Sequence, residues 1–472
     1  MKKILSVLLF LSVLIAQKLP EFINSEIKKG NFTRASYLID SLIIFGKVTD
    51  LEKWYFNFEK DKLQRIRLDF TKNLNDLMPY IKKYYPNISV DEIRKYEEDN
   101  SLECMIIDGE KKYFYNADKN LFRINSKLRE IKNNIEQPKL TGYQETTYKE
   151  IPELITKFKD KRERFFNPVN ITYKYRVTLK PNVIPDGEIV RAWLPFPKEN
   201  SRQRNIKLLS ANDSVYIISD NTKMHRTIYF EKRTKKDEPT IFEYFVSYES
   251  YAEVNLIDEN NIVDKDYAKI EELKPYLTEF PPHIVFTDKI KELSNKIVGN
   301  EKNKFRIMKK IYDWIDDNIP WASAKEYSTI ENIPEYVVDN KHGDCGQVSL
   351  LFITLCRLNG IPAKWQSGWM FHPSEINLHD WAEVYFEPYG WIPIDQSFGK
   401  HNFENYDEKY FFLGSTDNYH FIVNDNISQD FFPFKIYPRS ETVDFQRGEL
   451  EWRGGNIYFN NWQYEMEVSY NK

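Results

Sequence analysis

Between Gly343 and Asp395 the hydrophobic period switches from helical to alternating, and this order of elements restricts the fold more than any other stretch. Gly343-Asp344-Cys345-Gly346 opens a run in which Val348, Leu351, Phe352 and Leu355 recur at helical spacing, and Asn359-Gly360-Ile361-Pro362 closes it with a C-cap signature. Residues 379–386 then read as a strand, Pro388-Tyr389-Gly390 as a turn and residues 391–395 as the returning strand of an antiparallel hairpin. Cys345 therefore falls at a helix N-terminus, while His379 and Asp395 fall at the open end of a hairpin.

These three residue types suit nucleophilic catalysis. Unpaired N–H groups and the positive end of the helix dipole favour a thiolate at Cys345, and a thiolate nucleophile needs a base and a group that orients it. His379 and Asp395 supply both if they share a face of the hairpin. An odd-length loop centred on Pro388 puts Asp395 across from Trp381 and diagonal to His379; an even loop without a bulge separates them. A zinc site is the alternative, because His342 and Cys345 have ligand spacing and His372 and His379 follow. No second closely spaced pair of ligands accompanies them, so neither metal nor cofactor is expected.

The surrounding chain has 472 residues, 41% hydrophobic and 15% aromatic, enough for several packed cores. Residues 1–16 read as a signal peptide, with Met1-Lys2-Lys3 ahead of an apolar run too short to span a bilayer. Residues 17–165 read as a mostly helical region, where Phe32, Ala35, Leu38, Ile39, Leu42 and Ile43 recur at three and four; an Asp108-Gly109 hairpin follows, and the charged stretch 127–164 serves as a linker or solvated helix. Residues 166–260 carry short alternating runs such as Ile171, Tyr173, Tyr175 and Val177, the pattern of a β-sandwich. Residues 275–400 form the domain that holds the three candidate residues, and 401–472 a β-rich C-terminal extension. A net charge of -4, with basic and acidic residues well mixed, disfavours nucleic acid as a partner. The signal peptide and the absence of a later long apolar run lead to an exported protein, periplasmic or extracellular, with no membrane span once mature. Three cysteines are too few for a disulfide framework; Cys356, deep in the helix, reads as a small core residue. His225, His283, His401 and His420 read as surface or packing residues without partners.

Taken together, Gly-Asp-Cys345 leading a helix that ends Asn-Gly-Ile-Pro, His379-Asp-Trp-Ala-Glu-Val, and Gly-Trp-Ile-Pro-Ile-Asp395 resemble the transglutaminase-like core shared by transglutaminases and bacterial cysteine proteases of papain-like fold. The resemblance covers residues 289–397. It implies Cys345 as nucleophile, His379 as base and Asp395 as orienter, with Trp321 joining the Cys345 N–H as an oxyanion donor. Arg191-Ala-Trp-Leu-Pro-Phe-Pro resembles the β-sandwich that precedes this core in exported bacterial members. Two positions depart from the family pattern: Asp380 stands where Ala is common, and Gln396 where Pro is common. The expected architecture is α+β and multidomain: helical N-terminal region, β-sandwich, papain-like transglutaminase core and β-rich C-terminal segment. The expected activity is thioester-forming acyl transfer on a peptide or protein substrate, with hydrolysis favoured over cross-linking. The alternative is a non-catalytic binding or assembly protein on the same scaffold.

Overall fold

The computed structural model describes residues 19–263 and 265–471 and divides into two units. One runs to Gln137 and takes in Ala322–Ile330; the other comprises Pro138–Trp321 and Glu331–Lys472. The leader read in residues 1–16 lies outside the described residues. No described helix is long and apolar enough to cross a membrane.

The first unit is built of short helices. Phe32, Ala35 and Ile39 form the buried stripe of the helix Phe32–Phe45. Three helices start with capping boxes, Thr49 with Glu52, Asn73 with Asp76 and Ser89 with Glu92, each satisfying N–H groups that a helix start leaves unpaired. Strands β1 (Cys104–Ile107) and β2 (Glu110–Tyr113) pair through Asp108 and Gly109, both at positive φ, the backbone that an Asp-Gly hairpin turn requires. Ala322–Ile330 joins this unit by side-chain bonds: Asn120 Nδ2 donates to the Ser323 carbonyl at 2.8 Å, and Arg65 Nη1 donates to Ser328 Oγ at 2.8 Å.

The second unit holds three antiparallel sheets. β3 (Phe165–Leu179), β5 (Gln203–Ala211), β8 (Thr240–Glu253) and β15 (Trp462–Asn471) form one, in the order β15-β3-β8-β5. β4 (Ile189–Pro195), β6 (Tyr216–Ile218), β7 (Thr227–Arg233), β13 (Glu449–Trp452) and β14 (Gly455–Ile457) form another, ordered β14-β13-β4-β7-β6. Along β3 the side chains of Ile171, Tyr173, Tyr175, Val177 and Leu179 are buried while those between them are less so, the period-2 signature of a half-covered strand. The third sheet, β11-β10-β9-β12, comprises β9 (Ala363–His372), β10 (Glu375–Phe386), β11 (Gly390–Ile394) and β12 (His420–Asn424). Trp369 and Phe371 of β9 with Phe421 and Val423 of β12 join the same hydrophobic cluster as the sandwich strands, so one core supports both. The helix Cys345–Leu358 is buried over nearly its whole length.

Two regions carry more than the sequence alone specifies. The charged stretch 127–164 folds into helices Ser126–Glu136 and Gly142–Lys161. Ile151, Leu154 and Ile155 of the second are buried, each contributing roughly 1.5–3 kcal/mol by leaving water, which outweighs the solvated face around them. The C-terminal segment forms no sheet of its own. It lends β12 to the third sheet, β13 and β14 beside β4, and β15 beside β3, where ten residues pair from Trp462 with Leu179 to Asn471 with Asn170.

Candidate active site

Cys345 is the first residue of its helix, and Asp344 caps it: Asp344 Oδ1 accepts the Gln347 N–H at 3.0 Å while Gln347 Oε1 accepts the Asp344 N–H at 3.3 Å. The capping carboxylate takes up the helix-end electrostatics that a thiolate would otherwise use. The half-buried thiol donates instead to Asp380 Oδ2 at 3.5 Å. Burial pushes the Cys345 thiol well above its ordinary value, and the neighbouring Asp380 and Asp344 carboxylates push it further. Burial and the two acidic neighbours thus oppose the thiolate that the helix start favours. Cys356 is fully buried on the same helix.

The hairpin register follows from its loop. Ala382 pairs with Ile394 and Phe386 with Gly390, leaving three loop residues, 387–389. That odd number sets Asp395 on His379's face, and His379 Nε2 lies 2.6 Å from Asp395 Oδ2. The other carboxylate oxygen accepts the N–H groups of Ser397 at 2.9 Å and Phe398 at 3.0 Å. The His379 ring stacks against Trp381 and Phe398, with centroids 5.6 and 4.6 Å away, which fixes its plane. An imidazole facing a carboxylate through Nε2 keeps its proton there and leaves Nδ1 as the acceptor. Nδ1 makes no hydrogen bond among the described residues, and none joins His379 to Cys345.

A second imidazole completes the buried array. His420, on β12, points Nε2 at Asp395 Oδ2 at 3.0 Å and Nδ1 at Asp417 Oδ1 at 2.8 Å. Burial opposes its charge, but Asp417 and Asp395 overrule it and raise His420 above its ordinary value. Burial likewise opposes the charge of Asp395, yet His379 and His420 hold it well below the usual carboxylate range. His420, read from sequence as partnerless, is thus a fully engaged member of the site. His225 and His283 are also buried and bonded, through Asn424 Oδ1 at 2.7 Å and the Ile333 N–H at 3.3 Å.

Asp380 follows His379 on β10. Gln446, far along the chain, anchors it: Gln446 Nε2 donates to Asp380 Oδ1 at 2.7 Å and to the His379 carbonyl at 2.9 Å. Gln396, the other departure from the family pattern, donates to Ser349 Oγ, which donates to the Cys345 carbonyl at 2.7 Å. Trp321 is exposed and its backbone runs in a parallel bridge beside Gly343, two residues before Cys345. Among the described residues the acidic and imidazole groups that converge closely enough for a metal ion are His379, Asp395 and His420, with ligand atoms within 4.8 Å of one another. Both imidazole Nε2 atoms face one carboxylate oxygen at hydrogen-bond distance.

Comparison with known proteins places these residues in a family frame. Residues 291–396 match the family model of the transglutaminase-like superfamily. The uncharacterized protein YebA of Bacillus subtilis is 25% identical over 130 residues, 24% of this chain and 18% of that protein. An uncharacterized protein of Haemophilus influenzae is 22% identical over 244 residues, 46% of this chain and 66% of its own length. Among solved structures, one described as a candidate cysteine protease from Cytophaga hutchinsonii superposes with a TM-score of 0.42 at 15% identity, covering 65% of this chain and 92% of that one. Residues 291–396, spanning Cys345, His379 and Asp395, are a transglutaminase-like core.

Proposed function

We propose that the protein is an exported cysteine-dependent acyl-transfer enzyme acting on peptide or amide bonds. The observation that carries this reading is the His379–Asp395 pair, a buried 2.6 Å contact that leaves an imidazole nitrogen open on the residue next to Cys345's own hydrogen-bond partner. In the reaction His379 Nδ1 takes the thiol proton as Cys345 Sγ attacks the carbonyl carbon, and Asp395 holds the ring and stabilises the imidazolium. The oxyanion forms beside the Cys345 N–H, with Trp321 at the neighbouring backbone. Collapse expels the amine, which takes its proton from His379, and leaves a thioester on Cys345. Water, activated by His379, then releases the acid; an amine in its place gives cross-linking, and hydrolysis is the reading we favour. Export rests on the leader-like residues 1–16.

The thiol's bond to Asp380 in place of His379 favours a second reading, a non-catalytic binding or assembly protein on the same scaffold. A panel of fluorogenic peptide amides separates the two. The enzyme reading expects turnover that Cys345→Ser and His379→Ala abolish; turnover equal in all three proteins, or none in any, removes it.

A further inference from the structure

The residue that meets the reacting sulfur belongs to none of the three catalytic roles assigned above. Asp380 is 2% exposed, and its two carboxylate oxygens are used differently: Oδ2 receives the Cys345 thiol at 3.5 Å, and Oδ1 receives Gln446 Nε2 at 2.7 Å. Gln446 is itself fixed twice over, since its Nε2 also donates to the His379 carbonyl at 2.9 Å and its own carbonyl accepts Trp369 Nε1 at 2.9 Å. A carboxylate held this firmly cannot swing away from the sulfur without breaking the Gln446 bond.

We propose that Asp380 is a guard on the nucleophile: it keeps the Cys345 thiol protonated in the resting protein, and Gln446 is the positioning residue that locks it in that state. The inference rests on Cys345 being the nucleophile of the proposed reaction, and it names how that nucleophile is restrained. The local charges are consistent. Asp344 caps the same helix, Asp380 lies on β10, Asp395 follows β11, and Glu441 of the C-terminal segment is a further acidic group acting on Asp380. Glu441 is partly offset by Arg447, 2.8 Å away. Thiol and carboxyl are both pushed well above their ordinary values, chiefly by burial and then by these acidic neighbours, so the pair resists a second negative charge. Activation then requires that a substrate or partner draw the thiol from Asp380 to the open Nδ1 of His379.

The test is the alkylation rate of Cys345 by iodoacetamide across pH, read by mass spectrometry of the peptide that contains it, with Cys104 as internal control. Asp380→Asn removes the charge and keeps the size. Each unit by which the thiol pKa falls gives tenfold more thiolate but a less reactive one, a net gain of roughly three-fold at pH 7. The expected result is alkylation roughly three- to ten-fold faster than wild type at pH 7, with the midpoint of the rate profile shifted to lower pH. Gln446→Ala removes the donor that stabilises the carboxylate, so Asp380 gives up its charge more readily and the midpoint shifts in the same direction. This variant decides the question if Asp380→Asn fails to fold by circular dichroism. An unchanged or slower rate in the folded variants overturns the proposal, and a slower one makes Asp380 a base. Faster alkylation without turnover of any peptide amide by the wild type sustains the guard while removing the proposed reaction.

Discussion

His420 Nε2 stands 3.0 Å from the Asp395 oxygen that also faces His379, so a single carboxylate oxygen joins two imidazoles. His420 is raised above its ordinary value, which means the folded protein holds a proton that the unfolded chain releases near pH 6.5. The stability this group supplies is complete below that pH and is lost as pH rises through the raised value. Urea unfolding of wild type and His420→Gln across pH should therefore show the widest gap below pH 6.5, narrowing on the alkaline side. A gap that widens with pH contradicts the cation assigned to His420.

Replacing Asp395 by Asn leaves the His420 cation facing an amide and offers His379 Nε2 a donor as readily as an acceptor. Breaking a buried charge pair costs about 3–5 kcal/mol, and a misoriented imidazole costs about 10⁴-fold in turnover in related triads. Both losses are expected, by urea unfolding and by hydrolysis of the best peptide amide. A variant that keeps its turnover removes Asp395 from the catalytic set.

Gly368 sits on β9 between His379 of β10 and Ile422 of β12. A Cβ there would lie 1.9 Å from the Phe421 carbonyl oxygen, and a paired backbone atom cannot swing aside as a side chain would. Gly368→Ala should push β12 outward, cost about 3 kcal/mol, and disturb the imidazole resonances of His420, which the same strand carries. Stability and spectra unchanged from wild type would mean that the strands part without strain.

His225 titrates with the opposite sign. Its Nε2 accepts the Gln429 N–H at 3.0 Å and Nδ1 faces Asn424 Oδ1 at 2.7 Å, so the neutral ring is fully bonded and a second proton has no place. Burial, with Arg439 nearby, lowers its value to about 3, so the unfolded chain gains a proton below pH 6.5 that the folded state refuses. Between pH 6.5 and 4, wild type should lose roughly 3 kcal/mol relative to His225→Gln in acid urea titrations. Parallel curves would show that the ring titrates normally when folded.

What could be read in advance was local. The His379–Asp395 face depends on three loop residues, and the Cys345 helix start on four consecutive ones, so spacing reduces the first to whether the loop is odd or even and marks the second directly. His420, Asp417 and Gln446 reach the site through β12 and the C-terminal segment, whose partners β9, β4 and β3 lie far upstream. No short-range pattern encodes that pairing. The thiol's partner is hidden for the same reason: the dipole is a property of the helix, whereas Asp380 comes from a strand 35 residues away. In Gly142–Lys161 the stripe of Ile151, Leu154 and Ile155 was present at helical spacing, but the surrounding Lys and Glu residues masked it.

The most direct test of the acyl-transfer account is acylation of Cys345 by p-nitrophenyl acetate, with acid quench and mass spectrometry. The account predicts a burst of p-nitrophenol and an acetyl group on the peptide that contains Cys345, both lost in Cys345→Ala and slowed in His379→Ala. No acetylated Cys345 in the wild type, or equal acetylation in His379→Ala, would contradict it.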